Sequence, residues 1–229
     1  MSASHLAQAR ALLAKDLRLE LRTKETVVTM GLFALVAMII FQFAVAQRAD
    51  ETTPFAAGII WTTVALTAVL GVGRTWVPER EQRVLDGLLA APVSRLTMLV
   101  ARCVALVAYL LAVQVVVVPL AVLFFVEGVR PADAPLLALV CVLADLCIAV
   151  VGAFLASMSV FSRARELLLP VLLLPALVPV VITASGATHA VLGPSRALAE
   201  YRGYCVFLAV YALIFSLVAY ATYDHVLDD

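Results

Sequence analysis

Six apolar runs, each close to the length needed to cross a bilayer, leave this chain few folds to choose from. A hydrocarbon core of about 30 Å takes about 20 helical residues. The runs lie at about 27–46, 55–72, 98–126, 136–161, 167–182 and 204–220. Hydrocarbon cannot satisfy a backbone N–H or C=O group, so runs of this kind are predicted to be helices bonded within themselves. The fold expected is all-α: a polytopic membrane protein of six transmembrane helices in a single domain, 1–229. The runs at 55–72 and 167–182 read as the shortest, and 98–126 as long enough to tilt or to project beyond the lipid.

Composition agrees. Hydrophobic residues make up 64% and charged residues 14%, with a mean hydropathy of +1.07; soluble domains sit nearer 45–50% apolar. The net charge is zero and no basic tract suits nucleic acid. Cys103, Cys141, Cys147 and Cys205 all fall in apolar runs without a CxxC pair, so packed, reduced thiols are expected. No apolar h-region precedes residue 27, so the first run is expected to stay in the mature protein.

The charges lie between the runs. Six spans put both termini on one side of the membrane. That side would hold Arg10, Lys15, Arg18, Arg22, Lys24, Arg74, Arg80, Arg83, Arg95, Arg163 and Arg165. The other would hold Arg48, Arg130, Arg196 and Arg202, with Arg102 just inside the third span and able to snorkel out. Eleven against four predicts cytoplasmic termini. Residues 1–26 contain an amphipathic interfacial helix over 4–24, with Leu6, Leu13, Leu17 and Leu21 on one side and Lys15, Arg18 and Arg22 opposite. The mixed placement of Arg10, Asp16 and Glu20 leaves a plain cytosolic lead-in as the other reading.

The longest polar segment between two spans is 74–95. Val77, Val84, Leu85, Leu88 and Leu89 recur at helical steps beside Glu79, Arg80, Glu81 and Asp86. Such an element can lie on lipid, form a solvated loop, or dock a soluble partner; docking is the preferred reading. Pro92 and Ser94 end it, and Arg95 leads into the third span.

Two features stand inside the spans. Pro170, Pro175 and Pro179 interrupt the fifth, which predicts a broken or re-entrant helix facing protein and marks the three prolines as gate or pathway candidates. Asp145 lies mid-span in the fourth, where a hydrogen-bonded structural contact is favoured over proton coupling. Residues 183–203 read as the longest outer loop, with His189 a weak metal ligand on its own.

Several chemistries lack their residues. There is no GxxxxGK[ST] for a nucleotide and no hydrolase or metalloprotease motif. No CxxCH attaches haem, and with two tryptophans there is no tryptophan-rich haem-handling segment. No internal repeat suggests a self-sufficient inverted-repeat carrier. A non-catalytic membrane subunit that borrows its energy fits best.

The 74–102 stretch resembles the first cytoplasmic loop of ABC-2-type permeases. EREQ (79–82) leads to LDGLL (85–89), then PVSR (92–95), then basic Arg102. The family often has Gly-Thr where Arg83–Val84 stand, and Lys in place of Arg102. KDLRLELRTKE (15–25), AAGIIWTTVAL (56–66), ARELLLPVLLLPALVPVVI (164–182) and YDHVLDD (223–229) resemble the haem exporter protein B family, CcmB, in order along the whole chain. The resemblance implies the permease subunit of a bacterial inner-membrane complex serving cytochrome c maturation. Its implied partners are an ATPase like CcmA, membrane proteins like CcmC and CcmD, indirectly a haem chaperone like CcmE, and a second copy of itself. ATP belongs to the partner and haem is the possible cargo; no cofactor is assigned to this chain. Either haem is exported or ATP hydrolysis releases the haem-loaded chaperone. The ATPase dock would be Val77, Glu79, Arg80, Glu81, Val84, Leu85, Asp86, Leu88 and Arg95. The rival readings are an ABC-2 permease for a drug or lipid, a non-transporting assembly subunit, and a proton-coupled carrier using Asp145.

Overall fold

The computed structural model describes residues 5–46, 52–74, 95–126, 130–159, 165–193 and 197–226. Among them the chain forms helices α1 (His5–Thr23), α2 (Glu25–Ala46), α3 (Thr52–Arg74), α4 (Arg95–Phe125), α5 (Ala134–Ser159), α6 (Arg165–Leu192) and α7 (Leu198–Val226). A short 3-10 turn, Pro131–Asp133, precedes α5. Helices α2 to α7 are each long and apolar enough to cross a membrane, as the six runs predict.

The spans form two packed triplets. Helix α2 lies against α3 and α4, and α5 lies against α6 and α7. The triplets meet along α3–α6 and α4–α5, with α3 also touching α5. Helices α3 and α5 are the most enclosed, and α2 and α7 turn most of their surface outward. Apolar side chains gain little by leaving lipid for protein, so close backbone approach has to hold such helices together. Glycine provides it at two crossings. A Cβ at Gly152 would lie 2.6 Å from Val72 Cγ2, between α5 and α3, and one at Gly186 would lie 2.7 Å from the Tyr204 ring, between α6 and α7. Buried hydroxyls bond back to their own helices: Thr67 Oγ1 donates to the Thr63 carbonyl at 2.6 Å and Ser157 Oγ to the Phe154 carbonyl at 2.6 Å. Trp61 Nε1 donates to Thr188 Oγ1 at 2.8 Å, joining α3 to α6.

The fifth span differs from its expectation in three ways. Helix α6 is continuous across all three prolines, rather than broken or re-entrant. Its apolar stretch covers 25 residues and is not among the shortest; the second span, at 20, is. Pro175 is exposed and Pro170 and Pro179 half-buried, so the prolines do not all face protein. Side chains add bonds beside the prolines: Thr183 Oγ1 donates to the Pro179 carbonyl at 2.7 Å, and Tyr211 of α7 donates to the Ala176 carbonyl at 2.6 Å, tying α7 to α6. The expected loop at 183–203 is also helix as far as Leu192. Its small and hydroxyl residues, Thr183, Ala184, Ala187 and Thr188, are buried against neighbours instead of facing water.

Candidate functional site

The stretch expected to meet a partner joins α3 to α4. Val77, Glu79, Arg80, Glu81, Val84, Leu85, Asp86 and Leu88 lie outside the described residues. Arg95 opens α4. What the structure describes is the frame on which that stretch is mounted, at the end of the bundle richest in arginine.

Helix α1 forms one side of the frame. Leu13 and Leu17 pack against the core, and Asp16, between them on the same face, is buried. Asp16 Oδ2 meets Arg102 Nη1 at 3.0 Å, with the two side chains only 8% and 10% exposed. Lys15 Nζ approaches the other carboxylate oxygen at 3.6 Å. Deeper on α4, the Tyr109 hydroxyl donates to the Asp16 carbonyl at 3.5 Å. Arg102 therefore does not snorkel out of the span; it is covered by α1 and neutralised by Asp16. A charge-assisted bond of this kind is strong but offsets a large desolvation cost, so it specifies an arrangement more surely than it adds stability.

Leu21 corrects the expected apolar face of α1, since it is 73% exposed. Residues four apart turn 40° past one full circle, so a row of i+4 leucines drifts around the helix. Over Leu13, Leu17 and Leu21 the row rotates off the protein. Glu20 takes the inner position instead, and its Oε1 accepts from the Val27 N–H at 2.8 Å. Lys24, with a φ of 54°, breaks the chain direction between the two helices. Its N–H reaches the Glu20 carbonyl at 2.6 Å. Glu20 thus closes α1 and caps the start of α2. Beside this corner Arg74, the last residue of α3, pairs with Glu25 at 3.1 Å on the exposed surface.

A second polar site lies within the spans. Gln114 Nε2 donates to Asp145 Oδ1 at 2.7 Å, both residues being buried, which ties α4 to α5. This is the hydrogen bond expected for Asp145, and Gln114 is its partner. A lone amide in a valine run carries no periodic signal; only the crossing of α4 and α5 brings it opposite the acid. Further bonds continue outward. Cys103 Sγ donates to the Ala149 carbonyl at 3.7 Å, Cys147 Sγ to the Leu208 carbonyl at 3.2 Å, and the Tyr201 hydroxyl to the Leu136 carbonyl at 3.0 Å. All four cysteines are free thiols. Among the described residues, no group of three or more His, Cys, Asp or Glu side chains could hold a metal ion. His189 stands exposed in the last turn of α6.

The arrangement can carry force. The stretch after α3 leads in sequence into Arg95 at the start of α4. Two turns further on α4 is held to α1, and in mid-span it is held to α5, which is bonded to α7. Comparison with known proteins supplies the context for such a frame. The family model described as "CcmB protein" matches residues 7–226. A protein of Rhodobacter capsulatus called "Heme exporter protein B" is 30% identical over 174 residues, covering 76% of this chain and 78% of that protein.

Proposed function

The chain belongs to the CcmB family, and from that premise we propose that it is the membrane permease subunit of an ATP-driven complex for haem export in cytochrome c maturation. The observation that carries the reading is the family match over nearly the whole chain, 7–226. The relative's name, heme exporter protein B, points to the same cargo. The permease performs no chemistry. ATP is bound and hydrolysed by a separate ATPase subunit on the cytoplasmic face of the inner membrane, where the eleven-to-four excess of Lys and Arg puts both termini.

The apolar row Val77, Val84, Leu85 and Leu88, with Glu79, Arg80, Glu81, Asp86 and Arg95 around it, docks the ATPase. Closure of two ATPase subunits on nucleotide displaces that row in each of two permease copies. Helix α4 takes up the movement at Arg95. Because Asp16 holds Arg102, α1 travels with the base of α4, and because Gln114 holds Asp145, α5 follows in mid-membrane. The proline-bearing α6, braced on α7 by Tyr211, is the wall that yields. Membrane subunits of the CcmC and CcmD kind complete the complex, and the haem chaperone of the CcmE kind receives the cargo.

The test is reconstitution of the chain with its ATPase in vesicles, with and without the other membrane subunits. ATP-dependent appearance of haem on the far side, lost when the ATPase is omitted, is the expected result. ATP-dependent release of haem-loaded chaperone with no haem crossing the bilayer would replace the export reading. Normal c-type cytochrome formation in cells lacking the chain would remove both.

A further inference from the structure

Helix α1 has two faces with different surroundings. The inward face carries both of its acids: Asp16 pairs with Arg102, and Glu20 bonds the Val27 N–H. Leu13 and Leu17 fill the rest of that face. Arg10, Arg18 and Arg22 are exposed, and Arg18 and Arg22, one turn apart, stand directly opposite it. Lys15 stands beside them, within reach of Asp16. No carboxylate of α1 is left to neutralise this stripe. Leu19 and Leu21 border it on either side, 40% and 73% exposed. An apolar border to a basic stripe is idle in water, but it suits the boundary between headgroups and acyl chains.

The height of α1 follows from α4. The apolar stretch of α4 covers 29 residues, about 43 Å of helix at about 1.5 Å per residue, against a core of about 30 Å. The excess must stand among headgroups at its ends. Arg102 lies only five residues from the start of that stretch, Thr97, about 8 Å along the helix. Asp16, which holds it, therefore sets α1 at headgroup level, with its basic stripe turned away from the protein.

We infer that the outward face of α1 binds the phosphate groups of anionic phospholipids, with Arg18 and Arg22 as the contacts. The planar guanidinium donates two parallel N–H bonds to a phosphate, which an ammonium cannot do. The buried Asp16–Arg102 pair is what points the stripe outward, so lipid bound there bears on the base of α4. The inference rests on the membrane-spanning arrangement and not on the cargo.

Native mass spectrometry tests it, on the full-length chain released from nanodiscs of equal phosphatidylcholine and phosphatidylglycerol. The wild-type protein should carry phosphatidylglycerol in preference to phosphatidylcholine. Loss of one basic contact near an anionic surface is expected to cost about fivefold. Arg18→Gln with Arg22→Gln should therefore lower retained phosphatidylglycerol at least that much. Arg18→Lys with Arg22→Lys should retain more than the glutamine variant and less than the wild type, and Arg130→Gln, at the other end of the bundle, should change nothing. Undiminished selectivity in the double glutamine variant overturns the inference. So does unchanged selectivity combined with lost ATPase copurification, which would assign the stripe to an acidic protein surface. Should the glutamine variant lose its folded, monodisperse state, fluorescence quenching by brominated phosphatidylglycerol, read on the lysine variant and the wild type in membranes, decides instead. Equal quenching by brominated phosphatidylcholine would sink the inference, and stronger quenching by the glycerol lipid would support it.

Discussion

Arg102 illustrates how a single charge can be placed by its partner rather than by its own hydropathy. With Asp16 removed, the buried guanidinium would lose the carboxylate that meets it at 3.0 Å. Breaking one side of a buried pair costs about 3–5 kcal/mol, whereas replacing both sides with apolar groups is often neutral. Asp16→Ala and Arg102→Ala should each lower the thermal stability of the purified protein markedly. Asp16→Leu combined with Arg102→Met should recover most of the loss. Two additive single effects in that cycle would show that the pair does not act as a unit. Asp145 calls for a gentler expectation. Asp145→Asn keeps a carbonyl oxygen for the Gln114 amide to donate to, so c-type cytochrome formation should be largely unchanged. Gln114→Leu strands the carboxyl and should cost about 1–3 kcal/mol of stability. Abolished activity in Asp145→Asn at normal protein level would mean that the acid does more than hold α4 to α5. The presence of a polar contact at Asp145 was legible in the chain, because an acid in hydrocarbon must be met. Its partner was not, since Gln114 and Asp145 are far apart in sequence and only helix packing decides which amide faces which acid.

At the scale of elements, strong periodicity and length were the reliable signals. Helix α1 and the six spans follow from them. The end of α6 did not, because Thr183, Ser185, Gly186 and Thr188 look like loop residues when read singly. In a bundle, small side chains suit close helix approach and hydroxyls satisfy themselves on carbonyls, so the same residues extend the helix to Leu192. The prolines were misjudged because each removes only one backbone donor, and the rest of the ladder and packing against α3, α5 and α7 keep α6 continuous. If the missing donors matter, Pro175→Ala should restore one and reduce cytochrome c maturation while insertion persists. Full activity in a triple proline-to-alanine variant would make the prolines incidental. The proposed docking row carries its own expectation. Buried apolar anchors dominate binding energy and rim charges steer it. Leu85→Ala or Leu88→Ala should cost on the order of 2 kcal/mol, about thirtyfold in ATPase affinity, and more than Arg80→Ala. Undiminished ATPase pull-down by the leucine pair, and equally by Glu79→Lys with Glu81→Lys, would leave the row on lipid.

For the molecule as a whole, sidedness rests on charge. All four native cysteines are buried or half-buried, so their replacement by serine or alanine leaves a background for single reporters. Ala132 is exposed in the 3-10 turn between α4 and α5, and Thr23 is exposed at the close of α1. An odd number of spans, α2 to α4, separates the two positions, so they must lie on opposite sides of the membrane whichever way the protein is inserted. The excess of arginine and lysine predicts cytoplasmic termini, because cationic segments resist transfer out of the cytoplasm. A membrane-impermeant thiol reagent should label Ala132→Cys in spheroplasts and reach Thr23→Cys only after permeabilisation. Labelling of both from the same side would defeat the six-span arrangement. The reverse pattern would keep the fold but carry the segment between α3 and α4 away from cytoplasmic ATP, and with it the proposed coupling to an ATPase.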